Sequence, residues 1–444
     1  MSENLNLADD ERIVVTGMDI ITPVGTGAVS SWEAIKDGAH GIRPIAESRV
    51  AEHPFYQNIG VKVVAESSFD EKTDSSISDN RREIDTNNMH RSHIMAWRTM
   101  YLALRQAQLI EPGSLSLRDD IDPYRVGSYM GTTFSGVAHL NEVDFNRVRP
   151  SDIFKYLPER VATAPAMPLG IHGHVLEIGA ACASGATTVD VGISRLFKYR
   201  RGMPAKADIM VVGGADAPIV PANLNFFEAL KHAVDPSDDA ETASRPFDQD
   251  AKGLVMGEGA GAMVIETWEH AQKRGLKEED VLAEITGFDS FTHGENKTLA
   301  GMEGTVKVIE QVMRMADIAL GETVYINAHA TSTAGGDKRE AEAYKIAIAN
   351  LGLDLDDFWM TSTKGATGHT MGAAGAIEAA FSIMALREGV IPPALKLHNP
   401  IPEAEDFHLN PLRLSVLPSV DAAISTSLGF GGTATALAFR KFRA

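Results

Sequence analysis

Short apolar runs alternate with amphipathic stretches along almost the whole chain. Runs rich in Val, Ile and Met predict strands over 12–17, 124–131, 174–178, 209–214 and 261–266, and again over 281–287, 323–327, 423–428 and 435–441. Between them, apolar residues recur at helical spacing. This predicts a short helix and its exit over 32–42, and helices over 94–109, 186–197, 268–274, 305–315 and 338–351, with another beginning at Met371. In 186–197 the residues Val189, Ile193, Leu196 and Phe197 share one face. The run 174–178 reads as a short buried strand. The stretch 70–93 is polar and irregular and reads as a loop or lid. Strands alternating with helices make this an α/β chain. Each half offers strand, helix and strand in similar order, a weak internal duplication without a clear sequence repeat. The halves are expected at 11–267 and 281–444.

Composition narrows the function classes. The 444 residues are 44% hydrophobic and 23% charged, as in an ordinary globular protein with chain enough for a large core. The formal net charge is −19, which argues against nucleic acid as a general partner and requires a local basic patch to receive any acidic macromolecule. One cysteine excludes an intramolecular disulfide and fits a reducing, cytoplasmic compartment. The acidic start, Met1 to Asp10, reads as neither a signal nor a transit peptide, and no apolar run is long enough for a membrane span.

That single cysteine, Cys182, sits in Gly179-Ala180-Ala181-Cys182-Ala183-Ser184-Gly185, between a strand and a helix. Free N–H groups and the positive end of a helix dipole at such an elbow are expected to lower the thiol pKa and favour a thiolate nucleophile. A lone cysteine more often only fills core space. Two histidine motifs downstream weigh against that: His329 in Asn327-Ala328-His329-Ala330-Thr331-Ser332-Thr333, just past a strand, and His369 in Lys364-Gly365-Ala366-Thr367-Gly368-His369. A thiol with two distant imidazoles suits acyl transfer, the thiolate taking the acyl group and the imidazoles polarising a thioester carbonyl or stabilising an enolate. No C-x-x-C, H-E-x-x-H, P-loop or dinucleotide fingerprint points to metal or nucleotide. Ser427-Leu428-Gly429-Phe430-Gly431-Gly432-Thr433 reads either as a hairpin turn or as a mobile glycine loop whose amides meet an oxyanion.

Together these motifs resemble the β-ketoacyl-[acyl-carrier-protein] synthases of the thiolase-like condensing enzymes, of the Cys-His-His type. Thr16-Gly17, Thr22-Pro23-Val24-Gly25, Ala243-Ser244-Arg245-Pro246-Phe247-Asp248 and Gly257-Glu258-Gly259-Ala260-Gly261 extend the likeness over nearly the whole chain. The resemblance implies a five-layered αβαβα fold of two similar halves. It implies Cys182 as acyl acceptor, and His329 and His369 as the pair that binds the malonyl thioester, assists decarboxylation and stabilises the enolate. Lys364 and Glu378 match the charged pair that organises the site. Phe430 and Gly431 match the oxyanion and gate loop, and Thr331 and Thr333 match contacts to the phosphopantetheine arm. No metal or cofactor is implied beyond that arm. The implied partners are an acyl carrier protein and a second subunit, as homodimer or as heterodimer with a chain-length-factor-like protein lacking the nucleophile. The alternative to an active synthase is a catalytically silent or partner-dependent ketosynthase subunit of a heterodimer; the presence of Cys182 disfavours the chain-length-factor role itself.

Several positions depart from the family pattern. Phe134 stands where long-chain members carry a smaller aliphatic residue, so it is expected to shorten or reshape the acyl pocket. Thr292, Ala330 and Ala434 replace a usual histidine, glycine and asparagine. Pro236 takes the place of a carrier-facing arginine, while Arg147 and Arg149 keep a matching basic pair, to which Arg81, Arg82 and Lys231 are potential additions. These departures favour a specialised polyketide or polyene chain beside primary fatty acids.

Overall fold

The computed structural model describes residues 8–53, 56–141, 143–197, 204–234, 239–293, 301–409, 415–417 and 419–443. Ten principal strands follow in chain order. The first five are β1 Ile13–Thr22, β2 Val126–Gly131, β3 Val175–Ile178, β4 Ile209–Asp216 and β5 Gly259–Thr267; the second five are β6 Ala283–Thr292, β7 Val324–Asn327, β8 Phe358–Thr361, β9 Ala422–Gly429 and β10 Thr433–Arg440. Six helices connect them: α1 Arg91–Gln106, α2 Arg160–Leu169, α3 Ser184–Ile193, α4 Met302–Met315, α5 Ala334–Leu351 and α6 Ala374–Glu388.

The spatial strand order is β8-β7-β9-β10-β6-β1-β5-β4-β2-β3. Counted from each half's own first strand, both halves run third, second, fourth, fifth, first. The pairing sense repeats as well: β2 lies parallel to β3 and β4, and β7 parallel to β8 and β9, while the remaining pairs are antiparallel. The halves join where β1 meets β6 over Ile13↔Ile285, Val14↔Glu284 and Val15↔Ala283. The duplication that was faint in the sequence is plain in the strand order.

Helices cover both faces of each half-sheet, so the central strands bury every residue. Period-2 alternation then sorts side chains into separate cores. Met210 and Val212 of β4 face α3 and α6, while Ile209 and Val211 face Trp97, Met100 and Leu104 of α1. In the second half, Val308, Ile309 and Val312 of α4 pack with Tyr344 of α5 and Ile326 and Ile424 of the sheet. Outer helices, half-sheet, central helices, half-sheet and outer helices form the thiolase-like αβαβα stack. Up to Leu386 helix α6 has no solvent face, and its side chains there are apolar apart from Glu378 and Ser382. Its contact with α3 is backbone-close: a Cβ on Gly185 would lie 3.0 Å from the Ala376 backbone nitrogen.

Two expectations change. Val175–Ile178 is not a buried strand; it is the sheet's edge, with Leu176 42% exposed. The stretch 70–93 is not a loose lid. Asp74 caps a short helix, Ser75–Ser78, and pairs with Arg98, whose guanidinium also meets Asp19. Ile77, Ile84 and Met89 are buried against α1 and its neighbours. Sparse apolar residues at irregular spacing hid this packing from pattern reading. Pattern reading passes over α2 because Pro165 and Pro168 lie inside it, and it passes over β8 as well.

If 70–93 is structural, Ile84→Ala should lower the unfolding free energy by about 2–4 kcal/mol, read from urea titration. A change below about 0.5 kcal/mol, the scale of a surface site, would return the segment to the status of a loose cover.

Candidate active site

Cys182 stands between β3 and α3, two residues before the first helical turn. The loop is held by short polar contacts. Ser184 Oγ accepts the Ala180 N–H at 2.8 Å and donates to the Ala181 carbonyl at 2.6 Å, which also accepts Thr133 Oγ1 at 3.0 Å. Ala181 is thereby kept at φ 49°, a left-handed conformation that costs a non-glycine residue about 1–2 kcal/mol. The strain aims the next side chain, Cys182, into a cavity of about 60 Å³. The cavity is also lined by His329, His369, Phe227, His232, Leu254, Thr331, Thr333 and Phe430.

His329 leaves β7 at its C-terminal end. Glu340, from α5, accepts the backbone N–H of His329 at 2.8 Å and of Ala330 at 2.7 Å. His369 follows Gly368, whose φ of 62° suits glycine, and a Cβ there would lie 2.7 Å from Ala65 Cβ. The His369 N–H donates to the Val255 carbonyl and its own carbonyl accepts the Gly257 N–H, both at 2.8 Å. The two imidazoles meet edge to face, 5.3 Å between centroids. His329 Nδ1 and both ring nitrogens of His369 are buried without a hydrogen-bond partner. Lys364 and Glu378 form a fully buried ion pair beneath the cavity.

The electrostatics correct one expectation. Burial pushes the Cys182 thiol up to about 12, with Lys364 pulling the other way less strongly. At an elbow this dry, desolvation of the thiolate outweighs the cation. Burial likewise lowers both His329 and His369 well below the ordinary histidine range, with Lys364 adding to the effect. Burial raises Glu378 to about 7 against the opposing pull of Lys364. The resting site therefore holds a neutral thiol and two neutral imidazoles.

Strands β9 and β10 close over the cavity as a hairpin. Gly431 and Gly432 turn it with φ of 85° and 89°. A Cβ on Gly429 would come 2.6 Å from the Ala180 carbonyl, so glycine lets the hairpin lie directly on the cysteine loop. Neither the Cys182 nor the Phe430 backbone N–H donates to another described residue. Phe430 stacks on Phe227 at 5.9 Å, and Phe134 meets Phe227 edge-on at 6.1 Å, in the apolar cluster that also contains Cys182.

Two carboxylates escaped pattern reading. Glu340 has a visible signal in retrospect: with Asp337, Ala341, Tyr344 and Ile348 it lies on the buried face of α5. Asp216 closes the apolar strand β4. It accepts the N–H groups of Thr133 at 2.8 Å, Phe134 at 2.9 Å and Gly372 at 2.8 Å, and the Thr132 hydroxyl at 2.8 Å.

Other expected residues lie elsewhere. Arg149 lines a separate cleft of about 580 Å³ with Arg49, Lys72, Arg81, Arg91 and Lys155, and lies 3.5 Å from Asp152. Arg147 is exposed nearby. Thr292 faces Thr433 across the β6–β10 pair, and Ala434 is buried opposite Phe291. Pro236 falls outside the described residues.

Two family models cover most of the chain: the N-terminal domain of β-ketoacyl synthases matches residues 10–271, and the C-terminal domain matches 282–398. This chain belongs to the β-ketoacyl synthase family. Among curated relatives, the 3-oxoacyl-[acyl-carrier-protein] synthase 2 of Staphylococcus aureus strain N315 is 31% identical over 448 residues, spanning 99% of this chain and 100% of its own. Among solved structures, a β-ketoacyl synthase from Burkholderia phymatum STM815 superposes with a TM-score of 0.82 at 25% identity, covering 97% of this chain and 100% of that one. The ishigamide ketosynthase/chain length factor superposes at 0.80 with 26% identity, covering 97% and 99%. No described helix is long and apolar enough to cross a membrane.

The lowered histidine pKa gives a signed test. Below about pH 6.5 an unfolded histidine binds a proton that buried His369 refuses, so this group's contribution to stability falls as pH falls. In His369→Asn that contribution is gone. The stability difference, variant minus parent, should rise by up to about 1.4 kcal/mol per pH unit as pH drops from 6 to 5, other titrating groups cancelling in the difference. A flat difference in urea titrations would show that His369 is protonated in the folded state.

Proposed function

We propose that this β-ketoacyl synthase carries an acyl chain on Cys182 and extends it by decarboxylative condensation with a malonyl group held on an acyl carrier protein. The observation that carries this reading is one cavity holding a lone buried thiol and two neutral imidazoles whose ring nitrogens lack partners. In the first step the Cys182 sulfur attacks the acyl thioester, its proton leaves with the carrier thiol, and the chain is left as a thioester on Cys182. In this reading the N–H groups of Cys182 and Phe430 receive the oxyanion, and their lack of another partner among the described residues supports it. In the second step malonyl-carrier loses CO₂. The electrons of the broken C–C bond form an enolate, whose oxygen accepts hydrogen bonds from neutral His329 and His369. The enolate carbon attacks the acyl carbonyl, the bond to Cys182 breaks, and a 3-oxoacyl-carrier leaves. Lys364 and Glu378 position the two histidine loops without touching substrate. Thr331 and Thr333 hold the arm, and Gly431 gives the Phe430 gate its turn. Neither a metal nor a cofactor enters these steps.

A cavity of about 60 Å³ does not admit a chain of many carbons. Acylation therefore requires Phe430 to leave Phe227, and Phe134 stands in the wall that the chain then meets. This supports short or specially shaped chains, in fatty acid or in polyketide and polyene synthesis. We read 11–267 and 281–444 as the two functional halves, the first supplying the thiol and the second both imidazoles. Leu140, Phe145, Val148, Ile153 and Tyr156 form an exposed apolar cluster. Together with the free edge β3, this supports a second subunit, identical or chain-length-factor-like. Arg147 and Arg149, beside it, are our proposed carrier contacts. The lone cysteine fits the cytoplasm. The likeness to the ishigamide ketosynthase/chain length factor favours a second reading, activity only with a partner subunit.

Incubation with acyl-carrier thioesters should add one acyl group to the parent by intact mass and none to Cys182→Ala. His329→Ala should still be acylated, while its condensation rate falls by about 10²-fold or more. Acylation of Cys182→Ala would remove the nucleophile assignment. Acylation only after adding a partner subunit would establish the second reading. Phe134→Ala should shift the accepted primers toward longer chains, measured by competition within a length series; an unchanged order would clear Phe134 of any part in chain selection.

A further inference from the structure

Arg339 lies on the second turn of α5, exposed to solvent, yet it lines the same cavity as Cys182, His329 and His369. Its neighbours are all committed. Lys338 pairs with Glu403 at 2.6 Å, Asp337 accepts the Phe247 N–H at 2.9 Å, and Glu340 holds the His329 and Ala330 backbone. Arg339 itself has no hydrogen bond or ion pair to any described residue. In a chain of net charge −19, an unpaired guanidinium facing a substrate cavity is unusual enough to ask what anion it meets.

The other groups of the cavity narrow the answer. The thiol and the imidazoles of His329 and His369 are neutral, burial lowers His232 from the ordinary histidine range as well, and Glu340 is buried and fully engaged, so Arg339 supplies the one full charge that a ligand can reach among the described lining residues. It stands at the solvent end, beside the Thr331 and Thr333 hydroxyls, which lie 3.0 Å apart, and beside Gly336. At neighbouring Gly335 a Cβ would meet nothing within 4 Å, so the approach is open. Arg339 is the exposed residue of this lining, while Thr331, His329 and His369 are buried. The unpartnered, buried ring nitrogens of His369 belong to the same cavity.

We propose that Arg339 binds the phosphate of the phosphopantetheine arm and makes the enzyme prefer phosphorylated over unphosphorylated arms. The proposal rests on the reading of the site as a carrier-fed ketosynthase. A planar guanidinium presents two parallel N–H donors to two phosphate oxygens, which an ammonium cannot do. Arg339 is thus a specificity residue for the arm, remote from the reacting atoms.

The test is the rate of Cys182 acylation, followed by intact mass, with butanoyl-phosphopantetheine and with butanoyl-pantetheine. The quantity read is the ratio of second-order rate constants for the two probes. In Arg339→Ala the ratio should fall about five- to tenfold from the parent value, the scale of an accessible charge-assisted contact. In Arg339→Lys it should fall less, and in Arg339→Glu further than in the alanine variant. Thermal melts control for folding, which an exposed helix position should leave intact. An unchanged ratio in both the alanine and glutamate variants overturns the assignment, as does an equal slowing with both probes, which would make Arg339 a part of the channel wall. A parent protein acylated by neither probe, nor by any other primer of the length series, would instead overturn the reading of the site as active without a partner subunit.

Discussion

The buried carboxylate of Asp216 is the contact on which the site depends. Three backbone N–H groups and one hydroxyl converge on it from two directions: Thr132, Thr133 and Phe134 at the exit of β2, and Gly372 behind His369. Burial alone raises its pKa, and the four donors oppose that shift, so the charge is tolerable only while all of them stay in place. Removing one would leave a dry carboxylate under-satisfied and free the acyl wall from the histidine loop together. The Thr133 hydroxyl also donates to the Ala181 carbonyl, so the cysteine loop hangs from the same knot. One side chain thereby registers the thiol, the acyl wall and an imidazole, from both halves of the chain.

That registration matters because the site works with neutral groups. A thiol pushed to about 12 and two imidazoles held well below their ordinary range store no charge in the resting state. Charge appears during the reaction, on an oxyanion and an enolate. Fixed donors in a dry cavity are worth most there, because they need no reorganisation. The Lys364–Glu378 pair sits below this layer and disfavours protonated imidazoles through the nearby ammonium. The hairpin bearing Phe430 closes the cavity from the side opposite this pair's layer. Its glycines allow both the turn and the close seat on Ala180.

The fold explains why thiol and histidines come from different halves. Each half leads strand, outer helix, strand, outer helix, strand and central helix, and the two central helices meet back to back. The cavity opens at their N-terminal ends, where Cys182 precedes α3 and His369 precedes α6. Packing at Gly185 and Gly372 is so close that neither position has room for a side chain.

By itself the sequence determined the α/β class, most strands and helices, and the Cys-His-His set with Lys364, Glu378 and Phe430. Those rest on local signals: apolar period, glycine turns and contiguous motifs. Tertiary structure alone decided what depends on burial and on distant partners. Dryness, invisible in a motif, raised the Cys182 thiol where a helix end would have lowered it. Asp216 and Glu340 matter through backbone donors far away in sequence. Leu176 lies on an edge because no strand among the described residues pairs with β3 on its far side, and 70–93 is seated because Ile77, Ile84 and Met89 find partners on α1 that no local period announces.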